Sequence, residues 1–179
     1  MKMKRIAMLV LAVSMCIMFS SCGEKAGSNN GTQQVTIENG AFTCEPKTIV
    51  DSINNSIENS DDGQYYTCNP FEASGESIFT SDEWSRVILS FDTSDDGYIT
   101  HCSLYWSSAY PIDNAVSTAG LYSTVILKAL SPGNADDILD RITEIVVAGS
   151  GSEEYDVDGV TVEFVSAQSK NWLDVSVSE

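Results

Sequence analysis

Two groups of alternating apolar residues, separated by helical segments, constrain the fold of this chain more than any other feature. The first group contains "EWSRVILSF" and "YITHCSLYW", and the second contains "VTVEFVS" and "WLDVSVS". A period of two residues is typical of a strand that buries one face, and an Asp-Gly pair between such runs favours a hairpin turn. Both groups therefore predict antiparallel strands.

Three other segments have the apolar spacing of amphipathic helices: 46–59, 112–130 and 134–148. Pro46 suits the first position of a helix, where a missing N–H group costs nothing. Asn134 suits a helix cap, and the acids that follow it lie in the first turn, where the helix dipole favours negative charge. The stretches "SPGN" and "GSGSEE" are expected to be the loops that end the second and third helices.

The order of these elements predicts the fold class. With "QYYTCNPF" and "ESIFT" as two more strands, the order is α-β-β-β-β-α-α-β-β. Strands and helices do not alternate, so a parallel sheet is disfavoured. We predict a single α+β domain over residues 35–179, with three helices packed on one face of an antiparallel sheet of about five to six strands. The other face of the sheet would be open to solvent or to a ligand.

The N-terminus of the chain has the features of an export signal. A basic head is followed by a 14-residue apolar stretch, residues 6–19, whereas a membrane span needs about 20 residues. The next residues, Phe19-Ser20-Ser21-Cys22, resemble the lipobox of bacterial lipoproteins. The resemblance implies that residues 1–21 are a signal peptide and that the Cys22 thiol receives a diacylglycerol.

The residues after Cys22 are consistent with this interpretation. A plain secretory signal or an uncleaved anchor would also contain an apolar stretch. Residues 22–34, however, are polar and contain glycine and serine, which is typical of a flexible tether. We therefore expect a lipid-anchored protein on the extracytoplasmic face of the cell membrane.

The charge of the chain excludes one class of partner. Three of the nine basic residues belong to the signal, so the remainder has six against all 26 acidic residues, a formal charge of −20. Such a surface repels phosphate backbones, which excludes nucleic acid as a partner. It also lacks a polybasic patch for anionic lipid, so membrane contact would depend on the anchor. The charge either keeps an exported domain soluble or forms an acidic face for a basic partner or for cations.

Three cysteines remain after the signal and the lipobox: Cys44, Cys68 and Cys102. Their spacing does not match paired zinc ligands, and export permits a disulfide without requiring one. Cys102 alternates with core residues, so we expect a buried thiol there. Cys44 and Cys68 are then the better disulfide pair.

The stretch "DTSDDGYITHCS" is the best candidate for a metal site. Asp92, Ser94 and Asp96 precede Gly97 at alternate positions, which resembles the first part of an EF-hand calcium loop. The twelfth position, where that loop has a bidentate acid, is Ser103. Acids beside an Asp-Gly pair are also what a hairpin turn uses, so a hairpin without a metal is the preferred interpretation.

Residues that could support catalysis are few. His101 is the single histidine, so any triad or dyad would have to use it. The chain contains neither a G-x-S-x-G nucleophile elbow nor a phosphate-binding loop, and it implies no cofactor. Carboxylates from distant positions could still form a glycosidase pair.

Aromatic residues suggest a binding surface. Trp172 alternates with Leu173 and Val175, so it should face away from the core, although packing in the core or at an edge is the commoner fate of a tryptophan. Tyr105 and His101 share one face of their own strand by the same alternation. We therefore expect these three side chains to form a face that binds a protein, peptide or glycan. The alternative is an extracytoplasmic hydrolase that uses scattered carboxylates on a cell-wall or extracellular polymer.

Overall fold

The computed structural model describes residues 35–60, 65, 76–80, 85–108 and 114–178. The predicted signal segment, Cys22 and the predicted tether lie outside these residues. None of the helices in the described part of the chain has the length and apolar character needed to cross a membrane. The elements, in chain order, are β1 (Ile37–Glu38), β2 (Ala41–Phe42), α1 (Pro46–Glu58), β3 (Glu76–Thr80), β4 (Ser85–Thr93), β5 (Ile99–Ser108), α2 (Asn114–Leu130), α3 (Ala135–Ala148), β6 (Ser150–Val157), β7 (Val160–Ala167) and β8 (Lys170–Val177).

Six strands form one antiparallel sheet in the order β3-β4-β5-β8-β7-β6. Strands β1 and β2 form a separate small hairpin. The last strand, β8, lies between β5 and β7 and so joins the two halves of the sheet. The protein is thus an α+β fold with an antiparallel sheet and three helices, as the sequence predicts.

One face of the sheet and the three helices share a single core. Helix α2 packs on β4, β5 and β8, α3 packs on β6 and β7, and α1 packs against α2. Every second residue of the central strands is buried, and each large apolar side chain that is fully buried contributes about 1.5–3 kcal/mol. The buried apolar residues of β4, β5, β7 and β8 are Val87, Leu89, Phe91, Ile99, Cys102, Leu104, Trp106, Val160, Val162, Phe164, Leu173 and Val175.

The helix boundaries agree with the local signals in most respects. Pro46 is the first residue of α1, and Gly149 ends α3 with a left-handed φ of 82°. Asn134 stands at the position before α3, but its side chain forms no capping hydrogen bond.

The structure adds two features to the predicted order of strands, the edge strand β6 and the β1–β2 hairpin. The segment "GSGSEE" is not a loop, because Ser150–Val157 forms the edge strand β6. The predicted strand "QYYTCNPF" lies outside the described residues except for Tyr65. The β1–β2 hairpin was not predicted, since its strands have only two residues each.

A β-bulge changes the alternation at the start of β5. On β4, Asp92 pairs with His101, but the next residue, Thr93, pairs with Ile99. Thr100 is therefore an extra residue of β5 without a partner position on β4. Simple alternation places Ile99 on the same face as His101, and that is wrong, because Ile99 is fully buried. The bulge allows both Ile99 and Cys102 to reach the core while His101 stays on the opposite face.

Candidate functional site

The candidate site is the face of the sheet opposite the helices, which we call the open face. Residues in register on neighbouring strands lie side by side, so the open face consists of rows that run across the strands. One row is apolar, and we call it the apolar row. Its four members are half-buried: Ile88 on β4, Tyr105 on β5, Trp172 on β8 and Val165 on β7.

Tyr105 and Trp172 form the centre of the apolar row. They are directly opposite each other on β5 and β8, and their ring centroids lie 5.3 Å apart at an interplanar angle of 47°. That distance is within the range of a favourable aromatic pair. Trp172 therefore lies on the open face, where the alternation of β8 predicts it to be.

The next row along the strands is acidic. Ser103 is opposite Asp174, Asp174 is opposite Glu163, and Glu163 is opposite Glu154 on the edge strand. We call Asp174, Glu163 and Glu154 the acidic row. Glu163 and Glu154 are exposed, and Asp174 is half-buried.

His101 lies beyond the acidic row and is held between two carboxylates. Its Nδ1 lies 3.1 Å from Oδ2 of Asp92 on β4, and its Nε2 lies 3.1 Å from Oδ1 of Asp174 on β8. The imidazole therefore links three adjacent strands. With both ring nitrogens donating to carboxylates, the protonated imidazolium is the form that fits this geometry.

The charges in this cluster shift two pKa values in opposite directions. The hydrogen bond to Asp174 is the main reason that the pKa of His101 is raised; burial lowers it, and the hydrogen bond to Asp92 raises it further. Burial alone would raise the pKa of Asp174, but hydrogen bonds from His101 and Ser103 and the imidazolium charge together lower it. Both shifts favour the charged forms of the two groups and hence the ion pair.

This arrangement does not suit His101 as a general base. A base needs one ring nitrogen near the proton that it removes, and here both nitrogens are engaged by carboxylates. The cluster is therefore better suited to holding the strands of the open face in place than to proton transfer.

The candidate calcium loop forms a hairpin turn between β4 and β5. The Ser94 N–H donates to the Tyr98 carbonyl at 2.8 Å, and the Gly97 N–H donates to the Ser94 carbonyl at 2.9 Å. Gly97 has a φ of 83°, a conformation that glycine adopts without strain. The Asp92 carboxylate contacts Nδ1 of His101. Within the described ranges, no group of three His, Cys, Asp or Glu residues is placed to hold a metal ion.

Cys44 and Cys102, the two cysteines among the described residues, are both buried. Cys102 is 1% exposed, as its alternation predicts. Cys44 is disulfide-bonded. Cys68, the partner that we expect for it, lies outside the described residues, so this pairing remains a prediction.

Comparison of the chain with protein-family models, with curated proteins and with solved structures finds no match. The structure brings together Tyr105 and Trp172, and it places His101 on the same face. The sequence patterns did not single out Asp174 or Glu163, and they drew attention to Ser103 only as the twelfth position of the candidate calcium loop. The alternation of β8 places Asp174 on the face of Trp172, but its contact with His101 depends on the pairing of β8 with β5, which alternation does not reveal.

Proposed function

We propose that this protein is an exported, lipid-anchored protein whose domain binds a protein, peptide or glycan through the open face and catalyses no reaction. The observation that carries the proposal is the Tyr105–Trp172 pair, which lies half-buried on the face opposite all three helices. Tryptophan and tyrosine are the residues that most often dominate binding surfaces. The neighbouring ion pairs of His101 fix the strands on which this pair lies.

The anchor part of the proposal rests on the sequence around Cys22. A flexible tether of 13 residues, 22–34, has an end-to-end distance of about 20 Å. That distance separates the domain from the lipid headgroups and lets the open face meet a partner. Such an arrangement suits a binding module.

The alternative, a hydrolase built on carboxylates, finds less support in the described residues. A carboxylic acid that protonates a leaving group needs a raised pKa. The half-buried carboxyl of the open face, Asp174, has a lowered pKa because His101 and Ser103 stabilise its charged form. A binding role therefore fits this face better.

Glycan and peptide arrays test the binding function. We expect Trp172→Ala to lower the affinity of the purified chain for its ligand by about 30-fold, the loss typical of a hot-spot residue. Tyr98→Ala is the matched control, because Tyr98 is an exposed aromatic residue in the hairpin turn, and it should change affinity by less than about twofold. Turnover of an array substrate, abolished by one Asp or Glu substitution in a folded variant, would contradict the proposal.

Fractionation of the producing cells tests the anchor. Cys22→Ala should release the domain from membranes or leave an uncleaved precursor. A free thiol at residue 22 of the exported wild-type protein, found by mass spectrometry, would refute lipidation.

A further inference from the structure

The open face combines an apolar row with charges of opposite sign on its two sides. On one side lies the acidic row, and beyond it Asp92 and Asp156 add two more carboxylates. On the other side, Ser107 is opposite Lys170, whose side chain is exposed. A ligand lying along the apolar row would therefore meet negative charge along one edge and positive charge along the other.

We propose that the open face binds a cationic amphipathic segment of a partner protein, with its apolar side chains on the apolar row and its lysines or arginines against the acidic row. This inference rests on the binding function proposed above and specifies its ligand. Charge complementarity is the main argument for it. The described side chains of the open face include five carboxylates, Asp92, Glu154, Asp156, Glu163 and Asp174, against two basic groups, His101 and Lys170.

His101 does not neutralise the acidic row as a whole. Its two ring nitrogens bind Asp92 and Asp174, so Glu163 and Glu154 keep their charge for a partner. Asp156 accepts a hydrogen bond from Ser178 at 2.9 Å, which leaves its charge in place too. Basic side chains of a ligand would find carboxylates here and an aromatic face at Trp172, where a cation–π contact adds to the attraction.

The sheet is wide enough for a segment of this kind. The apolar row covers four of the six strands, and by register it ends beside the backbone position of Ile78 on β3 and beside Ser152 on β6. Six strands at about 4.8 Å spacing give the sheet a width of about 24 Å. A helix of about 16 residues has that length. Rows on one face are about 7 Å apart, so a helix about 10 Å wide lying on the apolar row also contacts its neighbours on both sides.

Two other ligands fit the same face less well. A second copy of the chain would bring two formal charges of −20 together, which opposes self-association. A glycan stacks best on a flat aromatic platform, but the rings of Tyr105 and Trp172 are tilted by 47°. Neutral sugars would also gain little from the charge of the acidic row.

The test uses the mature lipidated chain in nanodiscs of neutral phosphatidylcholine, with empty nanodiscs subtracted. The probe is a fluorescent 16-residue helical peptide of leucine and lysine in amphipathic order, a length that matches the width of the sheet. Its controls are the scrambled sequence and a version with glutamate in place of lysine. Fluorescence anisotropy gives the affinity, and circular dichroism confirms that each variant is folded.

We expect the amphipathic peptide to bind at least tenfold more tightly than either control peptide. Trp172→Ala and Glu163→Lys should each weaken its binding at least tenfold, and an increase from 50 to 500 mM salt should weaken it at least fivefold. Glu58→Lys makes the same charge change on α1, on the helical side of the sheet, and should alter affinity by less than about twofold. If Glu163→Lys unfolds the domain, Glu163→Gln takes its place, with an expected loss of at least threefold.

Several results would overturn the inference. Equal losses for Glu163→Lys and Glu58→Lys would show that net charge alone attracts the peptide, and retained binding in Trp172→Ala would show that the apolar row is not used. Equal binding of the scrambled peptide would exclude an amphipathic ligand. Binding of a neutral oligosaccharide that depends on Trp172, with no binding of the peptide, would refute this inference and leave the proposed binding function intact. Absence of any Trp172-dependent ligand would refute both.

Discussion

The imidazole Nε2 of His101 on β5 lies 3.1 Å from Oδ1 of Asp174 on β8, although 73 residues separate them in the sequence. The strands that carry them belong to the two halves of the chain, before and after helices α2 and α3. With the second contact, from Nδ1 to Asp92 on β4, this ion pair links both halves on the open face itself. Its state of ionisation should therefore affect the stability of the whole sheet.

The stability of the domain should depend on pH through this cluster. The raised pKa of His101 means that its contribution is complete below the ordinary value of 6.5 and is lost as the pH rises through the folded pKa. The lowered pKa of Asp174 means that its contribution is complete above the ordinary value of 3.8 and is lost as the pH falls through the folded pKa. Both contributions are therefore complete between pH 3.8 and 6.5.

Urea denaturation at pH 5.5 and at pH 8.5 measures this effect. We expect the wild type to lose free energy of unfolding between the two pH values, and His101→Asn to lose less of it. Identical pH dependence in the wild type and in His101→Asn would contradict the assignment.

The two carboxylates should differ in their effect on His101. Asp174 is 34% exposed and Asp92 is 78% exposed, so solvent screens the second contact more strongly. We expect Asp174→Asn to lower the pKa of His101 more than Asp92→Asn does. Because the chain has a single histidine, one imidazole NMR signal reports this pKa directly. A larger decrease of the His101 pKa in Asp92→Asn would contradict this prediction and show that Asp92 stabilises the imidazolium more strongly.

A glycine in the turn between β7 and β8 should stabilise the domain. Gln168 and Ser169 both have positive φ values, 52° and 69°, in a two-residue turn. The equivalent turn between β6 and β7 uses Asp158 and Gly159 at 55° and 79°. Since residues other than glycine are strained in this conformation, Ser169→Gly should raise the free energy of unfolding by about 1 kcal/mol.

Urea denaturation of the wild type and of Ser169→Gly checks this prediction, provided that the dependence of the free energy of unfolding on urea concentration is the same in both. Gly159→Ala is the opposite experiment and should lower the free energy of unfolding by about 1 kcal/mol. A destabilising effect of Ser169→Gly would mean that the Ser169 side chain contributes more than its backbone strain costs.

The cysteines should differ in their chemical state: Cys102 as a buried thiol, and Cys44 and Cys68 as a disulfide. Cys102 is 1% exposed, so we expect it to resist alkylation until the domain unfolds. Peptide mapping of the non-reduced protein should link Cys44 to Cys68, in a loop that stabilises the fold by about 3–4 kcal/mol in the chain-entropy model. A peptide that links Cys102 to either cysteine would contradict both expectations.

The alternation of apolar residues was enough to predict the fold class and the side of the sheet on which Trp172 lies. The edge strand β6 escaped prediction, because its sequence is polar and rich in glycine, serine and glutamate. Its inward side is held by contacts that alternation does not show: Arg141 Nη2 lies 3.2 Å from Glu153 Oε1, and a Cβ at Gly151 would lie 3.0 Å from Ile145 Cγ2. The absence of a side chain at Gly151 thus allows α3 to pack closely on β6, whereas the segment "GSGSEE" suggested a loop.

The composition of the open face could be predicted only in part. Alternation placed Tyr105 and Trp172 outward on their own strands, but their contact requires β8 to pair with β5 in one register. The same pairing aligns Asp174 with Ser103 and so builds the acidic row beside the apolar one. Strand order and register come from the packing of the whole core, which local patterns do not determine.

Site-specific photo-crosslinking in the producing cells tests the central claim, that the domain binds through its open face, most directly. Benzoylphenylalanine replaces Tyr105 in one variant, which keeps an aromatic ring on the apolar row, and Val147 in the other. Val147 is 58% exposed on α3, on the opposite side of the sheet. We expect a defined adduct from position 105 that disappears when Trp172→Ala is added, and no adduct from position 147. An adduct from position 147 alone, or one from position 105 that persists without Trp172, would contradict binding through the open face.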